Sequence, residues 1–387
     1  MRVLLVSSNS SAIGGGERYL AYLAKGLLRL GHEVHALVGA HAYMDPIAAL
    51  IAASGANVRR ERLVALRQRK LRFVSACLHR AQHRKLAGIY KEIAPDFVHV
   101  NQQYDEDGLD LVMAAKRASL LVAGTIHLPM CRDKLQRPLG RMRTAWMKAW
   151  YSRTRYPKIL SSPEAAEEFA AFYSCRDSVF QVDNATYDEA AQTGAPAPLP
   201  PSWTGAGPVI GFVGQIEERK DPMLLVRSWS LLRAEFPSAK LLLVGDGSMR
   251  PDIERAADAE GLSGALHVTG WVSDVRPWLK VMDLCAFTSH FEGMPQSLIE
   301  AACAGLRIAA LSGPGVPGVL RHAGWAVALQ ERDAAQLARA MEQALAAGPP
   351  CPSQVAAARE HFSVTRMARD VVKIYEAAVR EVSQRAD

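Results

Sequence analysis

The stretch Ser289-His290-Phe291-Glu292-Gly293-Met294-Pro295-Gln296-Ser297-Leu298-Ile299-Glu300-Ala301-Ala302-Cys303-Ala304-Gly305 decides how the rest of the chain is read. The apolar run 284–288 before it reads as a buried strand. Gly293 and Pro295 read as a turn, and a helix is expected from about Gln296. A helix start offers backbone N–H groups and a partial positive charge, which suits a diphosphate. Glycine at 293 lets backbone approach a ligand closely. Glu292 falls in the loop, and Glu300 lies eight positions on, about one turn into the helix. Two carboxylates so placed can serve a sugar and a ribose. They read equally well as a solvated loop acid and a helix-surface acid.

The chain has 387 residues, enough for two domains, and about half of it is apolar. No apolar run approaches the ~18 residues of a membrane span. Residues 1–6 read as a first strand rather than a signal peptide. The cysteines, Cys77, Cys131, Cys175, Cys285, Cys303 and Cys351, are scattered with no Cys-x-x-Cys pair. That argues against zinc and a disulfide framework and for a reducing cytoplasm. Net charge is +7 but uneven: residues 1–190 hold 27 Lys+Arg against 18 Asp+Glu, and the remainder 19 against 21. The first half is therefore expected to meet something anionic: nucleic acid, a phosphorylated acceptor or a membrane surface. No helix-turn-helix, zinc or stacking-aromatic signature supports nucleic acid.

Taken in order, Val3–Val6 is a buried strand. The loop ending in Gly14, Gly15 and Gly16 precedes a helix with Leu20, Leu23, Ala24, Leu27 and Leu28 on one face. Gly31 ends that helix and Val34–Val38 is the next strand, a Rossmann-like unit. The three glycines suit phosphate or a plain tight turn. Pro95–Asn101 turns into another strand, and a further one over Leu120–Thr125 runs out at Ile126-His127. His127 thus sits past a strand's carboxyl end, where α/β folds place ligands, although a loop histidine with no duty fits too. The Pro-, Gly- and Ala-rich stretch 193–208 reads as a linker. Strands then recur at 209–213, 241–244, 266–268, 284–287 and 307–310, with a helix from about Pro222. Alternation throughout predicts parallel sheets.

Several of these segments resemble retaining glycosyltransferases of family 4, which have the GT-B fold. Ser289, Glu292, Gly293, Pro295, Glu300, Ala301 and Gly305 match that family's Glu-x7-Glu motif in register. The segment from Gly14 through Leu37 is similar to its first loop and helix, and Pro95–Asn101 to its Pro-Asp-x-Val-His-x-His, with Asn101 for the second His. Asp183-Asn184-Ala185 is similar to its Asn-Gly-Val-Asp turn, with Ala185 for Gly. Gly214–Asp221 is similar to Gly-Arg-x-x-x-x-Lys-Gly, with Gln215 for Arg and Asp221 for Gly. The resemblance implies an α/β protein of two Rossmann-like domains whose parallel sheets face each other across a cleft. The expected domains are 1–192 on the acceptor side, a 193–208 linker, 209–365 for the nucleotide sugar, and a 366–387 helix crossing back to the first domain.

The resemblance also implies roles. Glu292, His127 and Lys220 would be catalytic: Glu292 holds sugar hydroxyls, His127 points at the transferred sugar, and Lys220 neutralises the diphosphate. Gly214, Gln215, Lys220, Gly270, Trp271, Val272, Gly293, Met294, Pro295, Gln296, Ser297 and Glu300 would bind the donor, with Glu300 on the ribose. Gly14, Gly15 and Gly16 would form the acceptor and phosphate loop. Arg219 reads as a solvated loop charge, and Trp271 serves equally as a base contact or as packing at a cleft wall. No Asp-x-Asp signature appears, so no metal or cofactor is expected. The implied reaction moves a sugar from a nucleotide diphosphate to a glycan or lipid-linked acceptor, with retention, in polysaccharide or glycolipid assembly. A nucleotide-sugar 2-epimerase and a non-catalytic nucleotide-sugar-binding partner remain as alternatives. Plotted as a helix, residues 71–91 place Leu71, Val74, Leu78 and Ala81 on one side and Arg72, Arg80, Arg84 and Lys91 on the other. That predicts a cationic outer face able to sit on anionic lipid at the inner face of the membrane.

Overall fold

In the computed structural model, the described residues are 1–7, 14–63, 76, 78–129, 140–186, 194–203 and 207–386. They divide into two compact units, Met1–Ala185 with Val364–Asp387, and Thr186–Ser363. Each is a parallel sheet covered by helices.

In the first unit β1 (Arg2–Ser7), β2 (Glu33–Gly39), β3 (Asn57–Glu61), β4 (Phe97–Gln102), β5 (Leu121–Ile126), β6 (Lys158–Leu160) and β7 (Val179–Gln181) lie in the order β3-β2-β1-β4-β5-β6-β7. In the second, β8 (Val209–Val213), β9 (Lys240–Val244), β10 (Leu266–Val268), β11 (Leu284–Phe287), β12 (Arg307–Leu311) and β13 (Val327–Leu329) lie in the order β10-β9-β8-β11-β12-β13. The strand order reverses between β1 and β4, and again between β8 and β11. Ligands bind at the carboxyl ends of strands at such switch points. The candidate residues sit there: Asn101 is the penultimate residue of β4, Gly214–Lys220 follow β8, and Glu292 lies in the loop after β11.

Buried aliphatic strands explain the sheets. Val3 to Val6, Val209, Ile210 and Leu241 to Val244 are under one-tenth exposed, as expected for strands covered on both faces. The sequence gives no such signal for β3, whose Asn57-Val58-Arg59-Arg60-Glu61 is a charged edge strand. Its arginines are held by Glu92 and Asp45 at 2.8 Å each.

The two chain crossings fall at Ala185/Thr186 and Ser363/Val364. The described residues of 193–208 therefore fall in the second unit: Ala197 N donates to Pro277 O, and the Trp203 indole donates to Gly264 O. The end of the chain forms two helices, Pro352–His361 and Val364–Ala386, the second of them over the segment expected as the 366–387 helix. The second packs on the first unit so closely that a Cβ at Gly26 would collide with Val364 O and Ala368 Cβ. Tyr375 stacks on Phe97, ring centroids 4.1 Å apart.

The amphipathic reading of 71–91 is corrected in part. Leu71, Arg72 and Val74 lie outside the described residues. In the helix Arg80–Ile93 the buried side carries Gln82, His83, Leu86, Ala87, Ile89 and Tyr90, while Ala81 is exposed and Leu78 is 72% exposed. Leu78 and Ala81 thus share the outer side with Arg80, Arg84 and Lys91, because Leu86 and Tyr90, not they, meet the core. No helix among the described residues is long and apolar enough to cross a membrane.

Candidate active site

In the second unit, two glycine turns close on each other. Gly214 (φ +150°) ends β8 and Gly245 (φ +148°) ends β9. A Cβ on Gly245 would collide with Gly214 O, and one on Gly247 with Ile216 O, so this approach requires glycine. Ile216 N donates to Asp246 O at 2.9 Å. The short turn Glu218–Lys220 then brings Lys220 back over the end of the sheet, where it is 8% exposed with its ammonium 5.6 Å from the Phe287 ring.

The loop after β11 meets it. Glu292 Oε1 lies 2.5 Å from Lys220 Nζ and 2.8 Å from Arg219 Nη1, and the Arg219 guanidinium also donates to Phe291 O at 3.2 Å. The Glu292 side chain is 12% exposed. Burial pushes its carboxyl up, and the Lys220 and Arg219 charges more than offset that, leaving it below the ordinary carboxylate value. Glu292 N donates to Pro314 O at 3.0 Å, and a Cβ on Gly315 would strike the carbonyls of Glu292 and Gly293. The helix Gln296–Ala304 begins at this point behind Pro295, so its positive end lies at the Glu292 loop. Gly293, Met294 and Pro295 are buried, and Gln296 and Ser297 are half-buried.

Glu300 is not a helix-surface acid. It is 6% exposed and lines a pocket with Thr186, Arg276, Leu279, Lys280 and Cys303. Gly270 (φ +72°) bridges to Gly245, which sets the Gly270-Trp271-Val272 turn beside the two glycine turns. Trp271 is 51% exposed. Gln215 is half-buried.

In the first unit, His127 is 7% exposed and belongs to a buried polar cluster. Asn101 Nδ2 donates to Gly16 O at 3.0 Å, which leaves Asn101 Oδ1 facing His127 Nε2 at 2.6 Å. Since Oδ1 can only accept, His127 carries its proton on Nε2 and keeps a lone pair on Nδ1. A Cβ on Gly16 would collide with Gln103 Oε1 and lie 3.0 Å from the His127 ring, so a larger residue here would have to displace the Gln103 side chain and press on His127. Beside it, Tyr19, Thr125, His99 and Tyr375 form a chain: Tyr19 OH to Thr125 Oγ1 at 3.0 Å, Thr125 Oγ1 to His99 Nε2 at 3.0 Å, and Tyr375 OH to His99 Nδ1 at 2.7 Å. Gly14 N donates to Glu17 Oε2 at 3.0 Å, which closes the start of the helix Gly15–Arg29.

Burial pulls the pKa of His127 down to about 4. Burial, with the charge of His127 second, pulls His99 down to about 3. Both lie below the unfolded value near 6.5, so between the two values the unfolded chain binds more protons and stability rises with pH. The contribution is complete above about pH 6.5 and is lost as pH falls toward 4. The expected loss is about 3 kcal/mol for His127. Urea midpoints at stepped pH should fall across this window and flatten in a His127→Gln variant; parallel curves for the two proteins would refute it.

Comparison with known proteins adds the family. The model described as "Glycosyl transferases group 1" matches residues 207–347, and the one described as "Glycosyltransferase Family 4" matches 13–182. The chain belongs to the group 1, family 4 glycosyltransferases. The lipopolysaccharide core biosynthesis glycosyltransferase LpsE of Rhizobium meliloti is 29% identical over 139 residues, 36% of this chain and 40% of that protein. The chain spans less than half the length of the curated relatives it matches. The solved glycosyltransferase of Rickettsia africae superposes with a TM-score of 0.75 at 15% identity, covering 98% of both chains. HepE of Anabaena in complex with UDP superposes at 0.71 with 16% identity, covering 99% of this chain and 100% of that one. The fold is GT-B, two Rossmann-like α/β domains with parallel sheets of seven and six strands among the described residues.

Within this family 4 glycosyltransferase, the structure brings Glu292 and Lys220 into direct contact and sets the Gln296 helix start beside them. It corrects one reading: Arg219 is not a solvated loop charge but the second cation on Glu292. Sequence reasoning missed the work done by Asn101, Asp221 and Arg332. The first two stood out only as departures from the motif, and Arg332 carried no signal because its contacts are more than forty positions away in sequence.

Proposed function

We propose that this protein is a retaining glycosyltransferase that moves a sugar from a nucleoside diphosphate sugar to a glycan or lipid-linked acceptor in polysaccharide or lipopolysaccharide assembly. The observation that carries the reading is the cluster of buried Lys220 with the partly buried Glu292 and Arg219 at the start of the helix Gln296–Ala304. As the bond from the sugar C1 to the diphosphate oxygen breaks, the leaving group takes the bonding pair and its negative charge grows. Lys220, the half-buried Gln215 and the helix start are fixed dipoles and charges that stabilise that growth without rearranging. Glu292, held ionised by its two cations, is placed to accept hydrogen bonds from sugar hydroxyls. The acceptor hydroxyl oxygen bonds to C1 on the face the diphosphate leaves, and its proton passes to the departing phosphate oxygen. This path requires no metal.

Glu300 is assigned to the ribose, and Trp271 with Gly270 and Val272 to the base. Trp271 offers an exposed indole face suited to stacking. His127 and the Gly14–Gly16 turn, on the first unit, are assigned to the acceptor side and the transferred sugar. The family and the UDP complex of HepE support a nucleotide sugar, and LpsE supports a lipopolysaccharide-type product. The exposed Arg80, Arg84 and Lys91 favour an acceptor held at an anionic surface.

The test is release of nucleoside diphosphate from a panel of nucleotide sugars. Lipid-linked acceptors would be presented in anionic vesicles at low and raised salt. Turnover on one donor with α- to α-type retention supports the reading. Nucleotide binding without turnover would favour a non-catalytic partner, and free 2-epimer without acceptor would favour an epimerase. Turnover unaffected by vesicle charge or salt would remove the surface from the proposal.

A further inference from the structure

Lys220 and Glu292 come from loops after two different strands, yet their charged atoms are 2.5 Å apart. Something must hold the two loops in register. Two bonds join them directly: Thr288 Oγ1 donates to Lys220 O at 2.7 Å, and His290 N donates to Arg219 O at 2.9 Å. A third link comes from a third place in the chain. Arg332 Nη2 lies 2.7 Å from Asp221 Oδ2 and 2.5 Å from Thr288 O, and its Nη1 donates to Ser289 O at 3.2 Å. One guanidinium therefore grips the residue after Lys220 and the segment that leads to Glu292. Its planar fork suits such a multiple contact, which an ammonium cannot reproduce.

Asp221 has a left-handed backbone (φ +43°, ψ +56°), a conformation glycine adopts more easily. The aspartate adds two contacts glycine lacks. Oδ1 accepts from Leu224 N at 3.2 Å, capping the helix Pro222–Leu232, and Oδ2 meets Arg332. Arg332 itself stands just before the helix Ala334–Ala346, capped by Asp333 through Gln336 N at 2.8 Å and packed against Pro222–Leu232. The clamp is thus anchored at both ends on regular structure.

We propose that Arg332, acting with Asp221, is a positioning residue that sets Lys220 against Glu292 for reaction. The proposal rests on the glycosyltransferase reading of that pair. Arg332 and Asp221 are 29% and 23% exposed, so solvent screens their ion pair in part and the pair's own share of stability is modest; its effect should appear in geometry and turnover.

The experiment compares Arg332→Ala, Arg332→Lys and Asp221→Asn. Each is measured by thermal melting, by calorimetry with UDP, and by turnover of the nucleotide sugar used by the unmodified protein; a crystal structure of Arg332→Ala is also required. Arg332→Ala should melt near the unmodified protein yet lose roughly tenfold to a hundredfold in kcat, since small misplacements at a reacting centre cost that much. Lysine should restore little of it, and Asp221→Asn, which keeps the cap, should fall between. In a Lys220→Ala background, Arg332→Ala should cause no further loss, because the two act through one interaction. In the crystal structure, Lys220 and Glu292 should have separated. An unchanged Lys220–Glu292 contact, or a full additional loss in the Lys220→Ala background, would overturn the proposal. If no nucleotide sugar is turned over and UDP does not bind, the glycosyltransferase reading fails, while the crystallographic separation still decides the positioning role.

Discussion

Lys220→Ala is expected to lower kcat by about a hundredfold to a thousandfold, the scale seen when one preorganised donor to a developing oxyanion is removed. Lys220 is 8% exposed and its ammonium touches Glu292, so its charge acts in a poorly screened setting. The loss should fall mainly on kcat, because the diphosphate gains charge as it leaves and the lysine matters most in the transition state. A second effect follows from the structure. Without Lys220, Glu292 keeps only Arg219 at 2.8 Å, and burial then pushes its carboxyl up with less to oppose it. The variant should therefore need a higher pH than the unmodified protein to reach its residual maximum. Steady-state kinetics over pH, with the donor found by the panel, checks both points. A rise in donor KM with kcat unchanged would show that Lys220 contributes ground-state binding alone.

Glu106→Ala is expected to destabilise the first unit by about 3–5 kcal/mol, the cost of breaking one side of a buried ion pair. Glu106 has a fully buried side chain, and the Arg143 guanidinium approaches it with two nitrogens, Nη2 at 2.5 Å and Nε at 3.3 Å. The pair fastens the turn after β4 to the helix Gly140–Arg153, and neighbouring contacts continue the fastening: Tyr151 OH donates to Asp105 O at 2.5 Å, and Tyr173 OH to Asp105 Oδ2. Removing the carboxylate takes a bidentate anionic partner from a buried guanidinium. Urea unfolding followed by a probe in the first unit gives the size. A Glu106→Leu, Arg143→Met double variant should recover most of the stability, because the pair's net worth is small once both charges are gone. A single variant within 1 kcal/mol of the unmodified protein would show that water or another acceptor replaces Glu106.

Neither effect is equally visible in the sequence. Glu292 and the helix start at Gln296 are legible because they lie in a short local pattern, an apolar strand, a glycine-proline turn, then helical periodicity, whereas Lys220 stands out only through the family segment that Gly214–Asp221 resembles. Asp105, Glu106 and Asp107 are consecutive acids, and all are under 5% exposed. The partners of Asp105 and Glu106, Tyr151, Tyr173 and Arg143, lie 37 to 68 positions away. The outer helix of the first unit fails for a related reason. A helical wheel gives two sides but not which one faces the core when both carry apolar residues. Gln82 and His83 are buried there because Asp110 and Ala76 O take their polar atoms.

The sequence by itself determined the alternation of strands and helices, hence two parallel α/β units, and the local pattern that places a carboxylate beside a helix start; the meeting of Lys220 with Glu292 came only with the assembled sheet. These are properties of periodicity, turn chemistry and short spacing, which act within one element or between neighbours in the chain. The tertiary structure decided the rest. It placed the chain crossings at 185/186 and 363/364, turned Arg219 inward onto Glu292, and gave Asn101 the task of fixing the His127 proton on Nε2. It also joined Asp221 to Arg332 across 111 positions. Each of these depends on which groups meet after the sheets are assembled, and burial in that assembly is what gives a charge or hydrogen bond its weight.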